Sequence, residues 1–223
     1  MDIKHRWKPS RIVEVVVCDA PEAWRSAGFD VGEDDVAVIA GVRFRLAGGD
    51  GGVESCRVES DTPDASAGGT HVVNGLTWHV QALGTAPEAP SGSHDNGVVG
   101  IQKLEVCPVE TWATLTELVH RVLPPPYNAF AYRNPDGNPQ HVALWRMQNM
   151  EVFEMADAMG QTVNDEMAMF FLVVADLDAT IARVGAENLS EPFQMAEGRR
   201  AVIVRKRAGL SVRTFLCERA PHP

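Results

Sequence analysis

The sequence repeats one local pattern three times, and this recurrence restricts the possible folds more than any single motif does. Apolar, β-branched runs that begin at Ile12, Ile101 and Met169 each lead into a turn containing Asp or Pro and then into an amphipathic stretch. The three segments read IVEVVVCDAPEAWRSAGF, IQKLEVCPVETWATLTEL and MFFLVVADLDATIARVGA. Each opening therefore predicts a strand followed by a short helix.

The residues that follow each predicted helix also share one pattern, which is strand, tight turn, strand. They read DDVAVIAGVRFRLAG, NPQHVALWRMQNMEVFEM and RRAVIVRKRAGLSVRTFLCE. The first segment carries an extra strand-like run, GVESCRVES, before its last strand at residues 75–83. The simplest description is an α+β fold in which a βαβββ unit occurs three times.

Glycine, proline and serine mark the boundaries between these units. The stretch GTAPEAPSGSHDNG predicts a linker at residues 84–97. We therefore expect a first βαβββ unit with an inserted strand at residues 1–83, a second unit at 98–156 and a third at 157–223. Because three is an odd number for a fold that closes by pairing units, one unit is expected to keep an unpaired face or edge, and a homodimer would cover it.

Charge and cysteine content exclude several classes of function. The formal net charge is −10 and no extended Lys/Arg cluster occurs, so neither nucleic acid nor an anionic membrane surface is an expected partner. The four cysteines are widely separated and lack a C-x-x-C spacing, which is typical of buried free thiols in a reducing compartment. With no signal peptide and no apolar run long enough for a membrane span, we expect a cytoplasmic protein.

The stretch FFLVVADLDATIARVG, together with the repeated units, resembles the vicinal oxygen chelate superfamily, and the resemblance extends from about residue 11 to 218. That superfamily includes glyoxalases, bleomycin-resistance proteins and extradiol dioxygenases. The resemblance implies that paired units form cupped mixed sheets, with helices on the convex side and a ligand inside the cup. It also implies metal ligands from a His in the first strand and a Glu in the last strand of each unit.

The first-strand ligand position of the superfamily lies seven residues before the turn aspartate. Counting back from Asp176 leads to Met169, and the same offset leads to Glu14 and Lys103 in the first two segments. Neither methionine nor an ammonium group replaces the superfamily's histidine as a ligand. The resemblance therefore implies a divergent member in which the first-strand positions are largely replaced.

The last-strand positions are also altered. The superfamily's glutamate corresponds to Glu151 in the second segment and to Phe215 in the third, while His79 is the nearest equivalent in the first. If the second and third segments pair, the cup holds Lys103 and Glu151; if the first and second pair, it collects Glu14 and His79 as well. In the first case too few ligands remain for a divalent metal, and in the second we expect a Lys103–Glu151 ion pair in place of the metal; no metal or other cofactor is expected.

Strand alternation predicts the same orientation from the residues alone. Val13, Val15 and Val17 form one apolar face, which leaves Glu14 on the other. By the same rule Lys103 and Glu105 lie opposite Leu104 and Val106, and His79 lies opposite the apolar face that contains Trp78. Each charge also has a structural interpretation: the glutamates as edge-strand charges, Lys103 reaching solvent past its apolar stem, and His79 as a satisfied core histidine.

Two functions remain open from the sequence. The first is a glyoxalase-like, metal-independent isomerase or lyase with catalytic residues Glu14, Glu151 and Lys103, in which one carboxylate is the general base and Lys103 or His79 stabilises an enolate-like anion. The second is a non-catalytic protein of the resistance or sequestration type. In both, a small organic ligand is expected to contact His79, Trp78, Glu105, His141, Trp145 and Phe153. His141 also fits a strand end outside any site.

Overall fold

A computed structural model shows that the chain folds into two mixed β-sheets. The structure describes residues 10–60, 68–73, 75–84, 92–106, 128–133, 139–146, 151–157, 168–195 and 198–219. Within these ranges, no helix has both the length and the apolar character needed to cross a membrane.

The first sheet contains the strands up to residue 82. They are ordered β2-β3-β1-β4-β6-β5, with β1 parallel to β3, β4 parallel to β6, and the other neighbours antiparallel. Helix α1 connects β1 to β2. The elements are β1 (Ser10–Val17), α1 (Pro21–Ser26), β2 (Val36–Ile39), β3 (Val42–Leu46), β4 (Val53–Ser60), β5 (Gly69–Val73) and β6 (Leu76–Ala82).

The second sheet contains the remaining strands, ordered β12-β13-β14-β11-β7-β10-β9-β8. Helix α2 follows β11, and short 3-10 helices occupy Ala186–Asn188 and Lys206–Ala208. The elements are β7 (Val98–Val106), β8 (Asn128–Arg133), β9 (Pro139–Arg146), β10 (Glu151–Asp157), β11 (Ala168–Val174), α2 (Leu177–Val184), β12 (Phe193–Gln194), β13 (Arg200–Ile203) and β14 (Arg213–Glu218).

Both sheets follow one plan, in which two half-sheets meet at an antiparallel pair of first strands. β1 meets β4 in the first sheet, and β7 meets β11 in the second, so the second and third sequence segments are the ones that pair. Each first strand also lies parallel to the last strand of its own half-sheet. The predicted α+β class with mixed sheets is confirmed.

The run GVESCRVES has a different place from the insertion that the sequence suggested. As β4 it opens a half-sheet of its own, which gives the two sheets four half-sheets in total within the described residues. Only eight residues separate β4 from β5, too few for the strand-to-helix pattern that marks the other three openings. The helix predicted after the Ile101 strand lies outside the described residues, and the proposed unit boundaries remain a prediction.

The ends of α1 and α2 follow from local sequence. α1 has Pro21 at its first position, where the missing N–H costs nothing. The side chain of Asp176 caps α2 by accepting a hydrogen bond from the Ala179 N–H at 3.0 Å. α2 ends at Gly185, whose φ of 90° is accessible to glycine and strained for other residues.

One face of each sheet packs, together with α1 and α2, into a shared core. Phe44 of the first sheet and Phe170 of the second meet at 5.4 Å between ring centroids, in an edge-to-face arrangement. Trp24 of α1 and Leu177 of α2 are each 1% exposed within this core. The faces of the sheets that point away from α1 and α2 are therefore the candidate ligand-binding faces.

Strand β1 follows the predicted alternation except at one residue. Ile12, Val15 and Val17 lie in the shared core, while Val13 occupies a shift in the pairing register between β1 and β4. A bulge of this kind places two residues of one strand opposite one residue of its partner. Glu14 consequently lies on the face opposite the core, as predicted, although Val13 does not join Val15 and Val17.

The cysteines in the described residues are free thiols, as expected. Cys56 and Cys217 are buried, and Cys18 is half-buried. Burial raises the pKa of Cys56 to about 12 and that of Cys217 to about 11. Both thiols are therefore protonated and unreactive at neutral pH.

The end of the predicted linker is held against the first sheet by His94. The Asp30 N–H donates to Nδ1 of His94 at 3.0 Å, so Nε2 carries the proton that is donated to the Val38 carbonyl at 3.0 Å. The ring is thus neutral. Burial lowers the pKa of His94 below its usual 6.5, although the Val38 hydrogen bond and the nearby Asp30 act in the opposite direction.

Protonation of His94 is expected to destabilise the fold in mild acid. Because the pKa is lower in the folded than in the unfolded chain, the unfolded state binds more protons as the pH falls through 6.5, and stability falls with it. Urea unfolding at pH 7.5 and 5.5 should therefore show a smaller loss on acidification in His94→Gln than in the unchanged protein. Equal pH dependence in His94→Gln and in the unchanged protein would contradict the assignment.

Candidate functional site

Strand register defines a row of four residues across the middle of each sheet. These are the first-strand and last-strand positions at which the resemblance implies metal-ligating residues. In each half-sheet, a first-strand residue pairs with a last-strand residue, and the two first-strand residues pair at the junction. The first-sheet row consists of Arg43, Glu14, Arg57 and His79. The second-sheet row consists of Glu151, Lys103, Phe171 and Phe215.

The register corrects one position of the sequence prediction. Phe171, and not Met169, pairs with both Lys103 and Phe215, whereas Met169 pairs with Glu105 and Arg213. Counting back a constant number of residues from the helix fails because the strand-to-helix connection varies in length. Glu14 precedes the N-cap residue of its helix by six residues, whereas Phe171 precedes Asp176 by five.

Glu14 is buried among three guanidinium groups. Its side chain is 6% exposed and its oxygens lie 3.4 Å from Arg43 Nε, 3.2 Å from Arg45 Nη2 and 3.3 Å from Arg57 Nη2. Arg43 and Arg45 reach it because the alternating strand VRFRL buries its apolar residues in the core. Oε2 accepts hydrogen bonds from Arg43 and Arg45, and Oε1 forms an ion pair with Arg57. Glu14 is therefore placed to organise the arginines, and the geometry does not support the predicted role as general base.

The predicted catalytic residues are divided between the two sheets. Glu14 and His79 belong to the first sheet, whereas Lys103 and Glu151 are register partners in the second. The cup in which all four were collected is therefore not formed, and the pairing of the second and third segments applies instead. The Lys103–Glu151 ion pair remains a prediction. It is favoured because the two residues lie directly opposite each other on adjacent strands.

The second-sheet row ends in an aromatic stack. The rings of Phe171 and Phe215 are 4.3 Å apart and 5° from parallel, and Phe193 meets Phe215 edge-on at 6.3 Å. Lys103 Nζ lies 3.9 Å from the centroid of the Phe171 ring, within the range of a cation–π interaction. This arrangement offers an apolar ring surface with a cation beside it.

Trp78 does not reach a ligand-accessible face. It is 1% exposed in the shared core, whereas its neighbour His79 is half-buried on the opposite face, with Nδ1 at 3.1 Å from Thr70 Oγ1. Successive side chains of a strand point to opposite faces, so both residues could not contact one ligand. The binding role predicted for Trp78 is therefore not supported, while His79 lies on the expected face.

Four further predicted binding residues belong to strands of the second sheet, where the structure describes their backbone. Glu105 pairs with both Met169 and Phe153, and His141 pairs with Ala156. Trp145 pairs with Val152, which is itself the partner of the core residue Leu104. Contacts between a ligand and Glu105, His141, Trp145 or Phe153 remain predictions.

Neither row matches the metal site that the superfamily resemblance implies. In the first-sheet row two of the four positions carry guanidinium groups, and in the second-sheet row two carry phenyl rings. Neither group donates a lone pair to a divalent cation. Among the described residues, no three His, Cys, Asp or Glu side chains converge as a metal-binding group.

Three row residues escaped the sequence analysis, namely Arg43, Arg57 and Phe171. The signal for the two arginines is present as alternation of polar and apolar residues in VRFRL and SCRVE. The sequence pattern predicts GVESCRVES as an inserted strand and not as the first strand of a half-sheet, so it does not place Arg57 in the row. Phe171 is not predicted because a constant offset from the helix leads to Met169.

Comparison with known proteins finds no matching family model and no matching curated protein. Among solved structures, 2,2',3-trihydroxybiphenyl 1,2-dioxygenase from Sphingomonas wittichii strain RW1 is similar, with a TM-score of 0.60 and 13% identity over 95% of this chain and 91% of that one. A catechol 2,3-dioxygenase gives 0.57 and 10% identity over 97% and 95%. A TIM barrel/4-hydroxyphenylpyruvate dioxygenase fusion protein gives 0.59 and 9% over 95% of this chain and 49% of the fusion.

Proposed function

We propose that this chain, which has the vicinal oxygen chelate fold, is a metal-independent protein that binds a small organic molecule beside the second-sheet row. The observation that carries this proposal is the Phe171–Phe215 stack with Lys103 Nζ at 3.9 Å from the Phe171 centroid. Aromatic rings and a cation occupy positions that would otherwise belong to metal ligands. They favour recognition through ring contacts and charge.

The exposure of the rings indicates the kind of ligand. Phe171 is 5% exposed and forms the base of the stack, whereas Phe215 is half-buried and Phe193 is 36% exposed. A flat apolar or aromatic compound could extend the ring contacts of Phe215 and Phe193. The ammonium of Lys103 favours an anionic substituent such as a carboxylate or phenolate on that compound.

The ligand is expected to be an aromatic anion, for which 1-anilinonaphthalene-8-sulfonate is a convenient probe. Phe215→Ala removes the outer ring of the stack and Lys103→Met removes the cation, so each should weaken binding of this dye about tenfold in a fluorescence titration. Leu83→Ala, at a 37% exposed site directly after β6, is a control that should bind as the unchanged protein does. Dialysis against EDTA should leave the affinity unchanged; equal affinities in all variants would overturn the proposal.

One observation favours a catalytic function over binding alone: Glu151 and Lys103 are register partners on adjacent strands. Glu14 is held by arginines, which leaves Glu151 as the candidate general base. Lys103 would then stabilise the enolate-like anion that forms when a proton is removed next to a carbonyl. The non-catalytic binding protein is the alternative, and it needs no base.

Hydrogen–deuterium exchange separates these two versions. Phenylpyruvate incubated in D₂O with a catalytic protein should exchange its α-protons, followed by NMR, and Glu151→Gln should slow this exchange by about a hundredfold or more while dye binding is retained. Glu154→Gln, three residues further along β10, is the matched control. Exchange at the uncatalysed rate in the unchanged protein would favour the non-catalytic version.

A further inference from the structure

The first-sheet row carries a surplus of positive charge that the proposed function does not use. From this geometry we infer a second binding site, in which Arg45, Arg57 and His79 bind a small anionic group such as a phosphate or a carboxylate. Glu14 holds the two binding arginines in position. The site lies on the first sheet, on the face opposite the shared core, and does not depend on the second-sheet row.

The surplus follows from the ion pairs of Glu14. Three guanidinium groups converge on this single carboxylate, in a chain whose formal net charge is −10. Glu14 balances one of the three cations, and Asp34, which pairs with Arg43, balances a second, so one positive charge remains uncompensated. Like charges at this separation repel one another, and a bound anion would relieve that repulsion.

Nearby acidic residues do not remove this surplus from the two binding arginines. Asp34 approaches Arg43 Nη2 at 3.5 Å, and its side chain is 63% exposed. Glu59, the next acidic residue along β4 on this face, accepts from Arg11 at 2.8 Å and from Gln81 at 3.3 Å. Within the described part of the chain, the ion pairs of Arg45 and Arg57 are made with Glu14 alone.

Both arginines keep hydrogen-bond donors for a ligand. Each points one Nη2 at Glu14, and their side chains are 44% and 43% exposed. A guanidinium group presents five N–H donors in a planar fork that matches the oxygens of phosphate or carboxylate. Most of these donors therefore remain available on the solvent side of Glu14.

His79 extends the donor set along the row. It is the register partner of Arg57 in the parallel pair β4/β6, so the two side chains leave the sheet on the same face. Nδ1 of His79 is engaged by Thr70 at 3.1 Å, and Nε2 has no hydrogen-bond partner among the described residues. In the tautomer in which Thr70 Oγ1 donates to Nδ1, Nε2 carries the proton and donates to the same anion as Arg57.

The buried carboxylate supplies the preorganisation that such a site needs. A long arginine side chain loses rotamer entropy when it binds, and holding it beforehand reduces that loss. Glu14 restrains both Arg45 and Arg57 through oxygens that are themselves fixed by burial. The pattern is that of a recognition site and differs from isolated surface ion pairs, which have one cation for each carboxylate.

Calorimetric titration with inorganic phosphate, at constant ionic strength set with NaCl, tests this inference. The unchanged protein should bind phosphate, with one site, and Arg45→Gln or Arg57→Gln should each weaken binding about tenfold through loss of a charge-assisted contact. Arg25→Gln removes the same charge from the exposed surface of α1 and should leave the affinity unchanged. Absence of phosphate binding, or an equal loss in Arg25→Gln, would overturn the inference; acetate in place of phosphate identifies which anionic group is preferred.

Further variants guard against misfolding and separate this site from the second-sheet row. Arg57→Lys keeps the charge but loses the planar fork, and it should give an intermediate phosphate affinity if Arg57→Gln proves unstable. His79→Gln should weaken phosphate binding by a smaller factor. Phe215→Ala should bind phosphate as tightly as the unchanged protein, so failure of the aromatic-ligand proposal would leave this result intact.

Discussion

Replacing Trp24 by alanine is expected to lower the free energy of unfolding by about 4 kcal/mol, which is typical of deleting a large, fully buried aromatic side chain. The indole is 1% exposed and packs at 4.6 Å from Phe29 and 5.5 Å from Phe44 between ring centroids. Its removal would leave a cavity at the point where α1 packs against the core face of the first sheet. Urea unfolding followed by circular dichroism measures the loss.

A matched variant separates the two contributions of this side chain. Nε1 of Trp24 donates to the buried Asp19 at 2.9 Å, and the other oxygen of Asp19 accepts from the Ser211 N–H at 2.9 Å. Trp24→Phe keeps most of the ring volume but removes the indole donor, so it should cost about 1–2 kcal/mol. If Trp24→Phe proved as damaging as Trp24→Ala, cavity formation would not be the main cause.

Replacing Glu14 by glutamine is expected to cost about 2–3 kcal/mol of unfolding free energy. The substitution keeps the shape of the side chain but removes the buried charge around which Arg43, Arg45 and Arg57 converge. Three cations would then repel one another without a counter-ion, and breaking a buried ion pair from one side is costly. We expect a smaller loss of unfolding free energy than for a fully buried ion pair because the arginines are partly exposed to water.

An exposed ion pair provides the control for this prediction. Glu22 of α1 contacts Arg25 at 3.3 Å with its side chain 78% exposed, so Glu22→Gln should change stability little. Raising the salt concentration should reduce the effect of Glu14→Gln only partly, because salt screens buried charges weakly. Equal stabilities of the two variants would show that the arginines do not depend on Glu14.

The two sheets share a framework and differ in the chemistry of their central rows. Register places Glu14 and Lys103 at corresponding first-strand positions, and Arg43 and Glu151 at corresponding last-strand positions. In the other half-sheets, the first sheet has Arg57 and His79 where the second sheet has the stacked rings of Phe171 and Phe215. One scaffold thus presents a cationic surface and an aromatic surface, which supports two separate ligand sites in place of one metal centre.

Local sequence was sufficient for the properties that depend on near neighbours along the chain. Alternation placed Glu14 opposite Val15 and Val17, and the pattern around Asp176 placed a strand followed by a capped helix, because side-chain direction and capping are decided within a few residues. The recurrence of that pattern predicted the α+β class and the resemblance to the vicinal oxygen chelate fold. These features do not depend on which units pair with each other.

The composition of each site was decided by tertiary structure alone. Which strands pair depends on contacts between distant residues, so the sequence left open whether Glu14 would join Lys103, and β4 was taken for an insertion. The shift of register at Val13 and the unequal strand-to-helix connections, which moved the equivalent of Lys103 from Met169 to Phe171, likewise arise only when strands align. Arg43, Arg45 and Arg57 come from two strands on either side of β1, and only sheet formation brings their charges to one carboxylate.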